Sequence, residues 1–173
     1  MQSADRERVF DVSARDLWNA AFFVDDYVKG IYAAIDVEIT PIEFDTQGEW
    51  PNLSVVRKQV IEPERNIPVA LHKLVRGATR VREEAIFDGA NKSFQVRMHL
   101  PVIGKRVDFH YRYTWEELSP TKTKMIWHGE VDARLPLLKK RAESFLIGDL
   151  EKSVLAAGDF TEKWFQEHPP AGA

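Results

Sequence analysis

Five histidines, His72, His99, His110, His128 and His168, are the side chains of this sequence best suited to act as general bases or metal ligands near neutral pH. Their spacing argues against both roles. His99 alternates with Met98, His110 with Phe109 and Tyr111, and His128 with Trp127. A period of two sends alternate residues to opposite faces of a strand, so these three histidines belong on the face away from the large apolar side chains. No HxH or HExxH spacing brings two of them onto one metal ion. Gly-x-Ser-x-Gly, P-loop and Gly-x-Gly-x-x-Gly patterns are absent, which leaves nucleophilic, phosphoryl-transfer and dinucleotide chemistry without a sequence handle. No catalytic residue, metal or cofactor is therefore assigned.

Polar residues set into apolar stripes are the next candidates. A helical pattern runs from Pro136 to about Gln166, roughly 45 Å at 1.5 Å per residue. On it Leu138, Ala142, Phe145, Leu146, Leu150, Ala156, Ala157, Phe160 and Trp164 share one sector, and Asp149 and Ser153 fall in that sector with them. A carboxylate there is costly unless it is paired or faces a wet cavity. Strand-like segments offer partners: Arg57 and Gln59 share a face with Leu53, Val55 and Ile61, and Glu83 sits among Val81, Ala85 and Phe87. Two arrangements fit these residues. One is a polar spot, formed by some of Asp149, Ser153, Arg57, Gln59 and Glu83, that holds a ligand hydroxyl or an ordered water. The other is a structural ion pair, or a helix turned so that Asp149 meets solvent.

The segment VDFHYRYTW places Val107, Phe109, Tyr111, Tyr113 and Trp115 on one face and polar residues on the other. Neighbouring segments present matching faces: Phe94, Val96 and Met98 on one side, Met125, Trp127 and Val131 on the other. Spacing by itself favours an interdigitated solid core. Aromatics with polar tips and flexible methionines also suit a cavity wall.

These residues must be positioned by a chain of 173 residues, 44% hydrophobic and 29% charged, a composition that describes one globular domain over 1–173. A net charge of −3 argues against a dedicated nucleic-acid binder. With no cysteine there is no disulfide, thiolate nucleophile or cysteine-ligated metal. No segment reads as a signal peptide, and none approaches the ~18 apolar residues of a membrane span, so a cytoplasmic location is expected.

The elements follow in order. ERVFDV reads as a short strand, Ser13 with Asp16 caps a first helix, and DDYVKGIYAAI forms a second. After Asp36 the period changes to two, and six strand-like runs follow, separated by Gln47-Gly48, Asp88-Gly89, Gly104 and Ser119-Pro120. The long helix then closes the chain, with Pro136 expected as its first residue.

This order, with FDVSARDLW near the start and YTWEELSP…KMIWHGEVDARLPLLKKRAESFL leading into the last helix, resembles the START-like (SRPBCC, helix-grip) superfamily, and most of all an uncharacterised bacterial branch of it. The superfamily includes START and VASt lipid-transfer domains, polyketide cyclase/aromatases and Bet v 1-type proteins. The resemblance implies an α+β helix-grip fold: a curved seven-stranded antiparallel sheet, two short N-terminal helices and a long C-terminal helix over a hydrophobic cavity. It implies a lipid or sterol-like ligand held in that cavity and moved between membranes, or a cyclase-like enzyme using the same pocket. The wall would be built from the strand residues named above with Phe145, Leu146, Asp149, Leu150 and Ser153. Arg57, Gln59 and Glu83 would serve as polar handles.

Two segments bear on ligand entry. HLPVIGKR carries Leu100, Val102 and Ile103 beside Lys105 and Arg106, and reads as a gate that touches an anionic membrane surface. NIPVALHKLVRG places Val69, Leu71, Leu74 and Val75 in a short helical stretch with His72, Lys73 and Arg76, and packing on the body of the domain is expected for it. Lys139, Lys140 and Arg141 open the last helix, where its dipole disfavours cations, so Asp132 and Glu143 are expected to offset them.

Overall fold

Among the described residues, seven strands and three α-helices follow one another as β1 (Gln2–Phe10), α1 (Ala14–Phe23), α2 (Asp25–Ala34), β2 (Val37–Gln47), β3 (Ser54–Pro63), β4 (Val81–Asp88), β5 (Ser93–His99), β6 (Val107–Ser119), β7 (Lys122–Ala133) and α3 (Lys139–Glu167), with a 3-10 turn at Gly104–Arg106. These elements are seen in a computed structural model that describes residues 1–64, 80–100 and 104–171. The expected short helix around His72 and the loop residues Val102 and Ile103 lie outside the described residues.

The strands form one antiparallel sheet in the order β1-β7-β6-β5-β4-β3-β2. Every strand from β2 to β7 pairs with its neighbour in sequence, as a meander does, and β1 closes the far edge beside β7. A right-handed twist accumulated over so many strands curls the sheet, and its concave face needs a cover. Helix α3 packs against β1, β7 and α2. At 29 residues it is about 44 Å long.

Local chemistry explains the boundaries. The Ser13 hydroxyl oxygen accepts from the Asp16 backbone N–H at 3.0 Å and donates to the Asp16 carboxylate at 2.6 Å, satisfying one of the free donors at the start of α1. Strand β1 begins at Gln2, earlier than the expected Glu7, because its ladder with β7 runs from Gln2 opposite Val131 to Phe10 opposite Thr123. Helix α3 begins at Lys139, later than the expected Pro136. Residues 136–138 form a turn in which Leu137 has φ +66°, and a right-handed helix cannot start through a left-handed residue. The expected offset of the cations is present for one of them: the Lys139 Nζ lies 3.1 Å from Asp132 and 3.6 Å from Glu143. Buried Glu143 also accepts the Ala133 N–H at 3.0 Å, tying the start of α3 to the end of β7.

The parity read from the sequence holds. Val107, Phe109 and Trp115 are buried while Asp108 and Arg112 are exposed. On the convex face His110 sits 2.9 Å from Glu130 and His128 sits 2.7 Å from Asp5. No group of carboxylates and histidines among the described residues is arranged to hold a metal ion. No helix among them is long and apolar enough to cross a membrane.

Helix α2 is clamped to α3. The Thr161 hydroxyl donates to the Ala157 carbonyl at 2.7 Å, so the Tyr27 hydroxyl 2.7 Å away is the donor in its bond to Thr161. Beside them the Phe160 ring lies directly over Gly30, where a Cβ would have no room. Gly30→Ala should therefore cost about 1–3 kcal/mol, the usual penalty for overpacking. Thermal unfolding of Gly30→Ala, Phe160→Ala and the double variant checks this: the alanine at position 30 should be harmful with Phe160 present and close to neutral without it.

Candidate functional site

The concave face is divided. At one end α1 lays Trp18 across the sheet, with ring centroids 4.9 Å from Phe87 and 5.2 Å from Trp115, and Phe87 stacks on Trp115 at 5.5 Å with an interplanar angle of 2°. Aromatic rings at these separations fill the space between helix and sheet. Toward the middle of the sheet the filling stops. A cavity of about 350 Å³ opens between α1, α2, α3 and the strands.

Most of the residues read as a wall from the sequence do border this cavity. Phe94, Met98, Phe109, Tyr111, Tyr113, Met125 and Trp127 line it from the sheet, and Phe145, Leu146, Asp149, Leu150 and Ser153 line it from α3. Val96 and Trp115 share the same face but do not border the cavity; they belong to the packed core, Trp115 within the solid aromatic end. Leu100, expected as part of an exposed gate, is buried and lines the cavity. Lys105 is exposed on the 3-10 turn.

Three of the five polar residues come together. The Arg57 Nη2 donates to Glu83 at 2.7 Å, and the Gln59 side-chain amide donates to the same Glu83 oxygen at 2.9 Å and to the Tyr32 hydroxyl at 2.6 Å. Gln59 and Glu83 stand opposite each other in the β3–β4 ladder. Arg57 and Glu83 line the cavity, while Gln59 is buried behind them. The Arg57 guanidinium also sits 5.6 Å over the Phe94 ring. Burial alone would lower the Arg57 pKa, but the Tyr32 and Glu83 oxygens hold it above its ordinary value, so the group stays charged. Its Nε is buried with no hydrogen-bond partner among the described residues, so the cluster is not saturated by them. Asp149 and Ser153 line the cavity from the facing helix, and the Ser153 hydroxyl donates to the Asp149 carbonyl at 3.1 Å.

Residues 6–165 match the family model described as a protein of unknown function (DUF2505). The chain belongs to the DUF2505 family. No curated protein matches it significantly. Among solved structures the fold is shared with a Zhui aromatase/cyclase from Streptomyces sp. R1128, at 12% identity and a TM-score of 0.67, covering 99% of this chain and 98% of the other. It is shared too with norcoclaurine synthase from Thalictrum flavum in complex with dopamine and hydroxybenzaldehyde, at 12% identity and a TM-score of 0.58, covering 98% and 88%. Ara h 8.0201 aligns at 13% identity with a TM-score of 0.55, covering 96% and 98%. This DUF2505 chain therefore has the helix-grip fold of these structures; at such identities the likeness speaks for architecture alone.

Reading the sequence missed the contribution of the two N-terminal helices. Leu17, Trp18 and Phe22 of α1 and Tyr27, Ile31 and Tyr32 of α2 border the cavity. The spacing of Tyr27, Ile31 and Ile35 at i, i+4 and i+8 was the available sign that α2 turns an apolar face inward. Nothing in the spacing marks Tyr32 as a partner of Gln59.

All four tyrosines of the DUF2505 chain, Tyr27, Tyr32, Tyr111 and Tyr113, are pushed up by burial, Tyr27 and Tyr32 to about 12. Glu83 raises Tyr111 further. At neutral pH every phenol is thus a protonated donor and none is a base. Because folding lifts these values above the ~10 of an unfolded tyrosine, their contribution is complete below pH ~10 and is lost as pH rises toward 12. Phenolate absorbance should stay low in the folded protein through pH 10–11 and appear together with the loss of helical ellipticity. A separate titration near pH 10 with the fold intact would contradict this burial. The ion pair makes a second expectation. Glu83→Leu strands a buried guanidinium and should cost ~3–5 kcal/mol in chemical denaturation, whereas adding Arg57→Met should recover most of that loss.

Proposed function

We propose that this chain, acting as one ligand-binding domain, holds a hydrophobic small molecule in its internal cavity with a polar end set against Arg57, Glu83 and the tyrosine hydroxyls. The observation that carries this reading is a space left open in the middle of the core and lined mainly by apolar and aromatic side chains with a few convergent polar groups, the usual makeup of a small-molecule site. Tyr111 and Tyr113 keep accessible surface although they sit among the buried strands, and that surface faces the cavity.

At about 350 Å³ the space lies at the small end of the range for such sites, ~300–1,000 Å³. This favours one compact ring system or a single acyl chain. A lipid or sterol-like molecule carried between membranes fits both the apolar lining and the polar cluster at Arg57 and Glu83. Two of the structural neighbours, an aromatase/cyclase and a norcoclaurine synthase in complex with dopamine and hydroxybenzaldehyde, support aromatic or ring-forming ligands as well.

A cyclase-like enzyme is the second reading, and the observation favouring it is the convergence of a guanidinium with protonated phenols, which is how a carbonyl oxygen would be polarised in an apolar site. Carriage of an unchanged ligand is preferred for its agreement with the mainly apolar lining of the cavity.

Mass spectrometry of organic extracts from the purified protein tests the proposal, with a co-purifying hydrophobic compound in stoichiometric amount as the expected result. Leu146→Trp, which adds bulk to the cavity wall, should displace that compound and weaken a neutral fluorescent probe such as N-phenyl-1-naphthylamine at least about tenfold, since the site can no longer close on it. The melting temperature should hold within a few degrees. Unchanged probe binding by Leu146→Trp would show that the cavity is not the site.

A further inference from the structure

The turn from β7 into α3 needs a left-handed backbone, but the fold does not require an exposed leucine to supply it. Leu137 is fully exposed, at 102% of its reference surface, and its backbone is left-handed with φ +66°. Both are unfavourable for leucine, since apolar surface is left in water and the Cβ crowds a carbonyl; glycine would relieve both at once. Strain of this kind at an exposed apolar tip points to use rather than to folding.

Cations flank Leu137 along the chain, at Arg134, Lys140 and Arg141. Lys140 and Arg141 are exposed in the first turn of α3, where the positive end of the helix dipole opposes them. The Arg134 N–H donates to the Arg106 carbonyl at 2.6 Å, which brings the exposed Lys105 and Arg106 alongside. Among the described residues, none of Lys105, Arg106, Lys140 and Arg141 has a carboxylate within ion-pair distance. The acids at this end are already engaged: Asp132 and Glu143 with Lys139, and Asp108 with His110. In a chain of net charge −3 such a group of unpaired cations is a local construction. It lies at the end of the molecule where α3 begins, close in sequence to Phe145 and Leu146 of the cavity wall.

We infer that this end of the protein docks on an anionic lipid bilayer surface, with Leu137 entering the headgroup region and Arg134, Lys140, Arg141, Lys105 and Arg106 facing the lipid phosphates. An exposed apolar anchor within a basic surface is the combination that interfacial binding uses. A soluble polyanion would call for the cations without the leucine. The inference deepens the proposed carriage of a hydrophobic ligand by naming the surface where exchange would occur, and its test needs no ligand in the cavity.

Co-sedimentation with phosphatidylcholine vesicles, with and without roughly 30 mol % phosphatidylglycerol, reads the interaction directly. The wild-type protein should bind the anionic vesicles at low ionic strength, release in roughly 0.5 M salt and ignore neutral vesicles. Leu137→Ser should lower the partition coefficient about tenfold by removing the buried apolar side chain. The pair Lys140→Glu and Arg141→Glu should lower it by more than about tenfold, at about fivefold for each cation lost. Leu137→Gly should weaken binding as serine does while keeping or raising the melting temperature, because it removes the backbone strain. Failure of the wild-type protein to bind anionic vesicles at low salt would overturn the inference. So would equal binding by Leu137→Ser, which would make the patch a general polyanion surface. An empty organic extract would remove the ligand reading and leave this result standing.

Discussion

A guanidinium and a carboxylate held inside an apolar enclosure constrain everything around them. Removing two charges from water costs several kcal/mol per ion, and the attraction between them offsets this only when geometry and further hydrogen bonds are good. Arg57 and Glu83 meet at 2.7 Å, Gln59 adds a second donor to the same oxygen, and Tyr32 receives the other end of that amide interaction. The arrangement exists only in one strand register. Gln59 lies opposite Glu83, and a slip of β3 by one residue would send Arg57 and Gln59 to the convex face, bring Lys58 inward and leave Glu83 buried without them. The apolar residues of β3 and β4 share that face, so the same register that buries Val55, Val81 and Phe87 also buries the ion pair. Tyr32 then requires α2 to stand in one place, and the Tyr27–Thr161 bond and the Phe160–Gly30 approach supply that placement from α3.

The cavity follows from unequal filling of one curved surface. Helix α1 brings Trp18 and Phe22 onto Phe87, Phe94 and Trp115, and there rings meet at ordinary aromatic separations. Along the middle of the sheet the opposing surface is α3, whose facing residues include Gly158, Ala157 and Ser153. The helix and the curved sheet beneath it leave a gap that Tyr111, Tyr113 and Met98 border without filling. Gly129 on β7 gives room to the Trp127 ring, which a Cβ would displace.

The edge strand β1 is fastened to α3 by charge. Arg6 pairs with Glu151, and Arg8 reaches Asp159 at 2.8 Å and Glu162 at 2.5 Å. Exposed pairs of this kind contribute little individually. Their position matters more, because Arg6 and Arg8 border the cavity and Gly158 lets the Arg8 side chain lie against the helix. The apolar enclosure thus has a polar seam along one side, and a more basic, strained turn at the end where α3 starts.

Period-two alternation after Asp36, the Ser13 cap and the long apolar stripe near the C-terminus made the element order readable from the amino acids alone, because each is a local pattern. Parity likewise placed Phe109 and Trp115 inward and His110 outward, and it put Arg57, Gln59 and Glu83 on one face. What lies opposite a face is not a local property. Whether Trp115 meets another ring or an empty space depends on where α1 packs, and the gap in front of Tyr111 depends on how far α3 stands from a sheet whose curvature is summed over seven strands. Tyr32 joined the polar cluster only through the packing of α2 against α3, and Val96 left the cavity wall for the core by the same three-body geometry. The start of α3 was misplaced because Pro136 is a favourable first helical residue in isolation, whereas the backbone at Leu137 turns left-handed to bring α3 back against β7. Alternation specifies which side of an element is buried; only the assembled structure determines whether that side is filled.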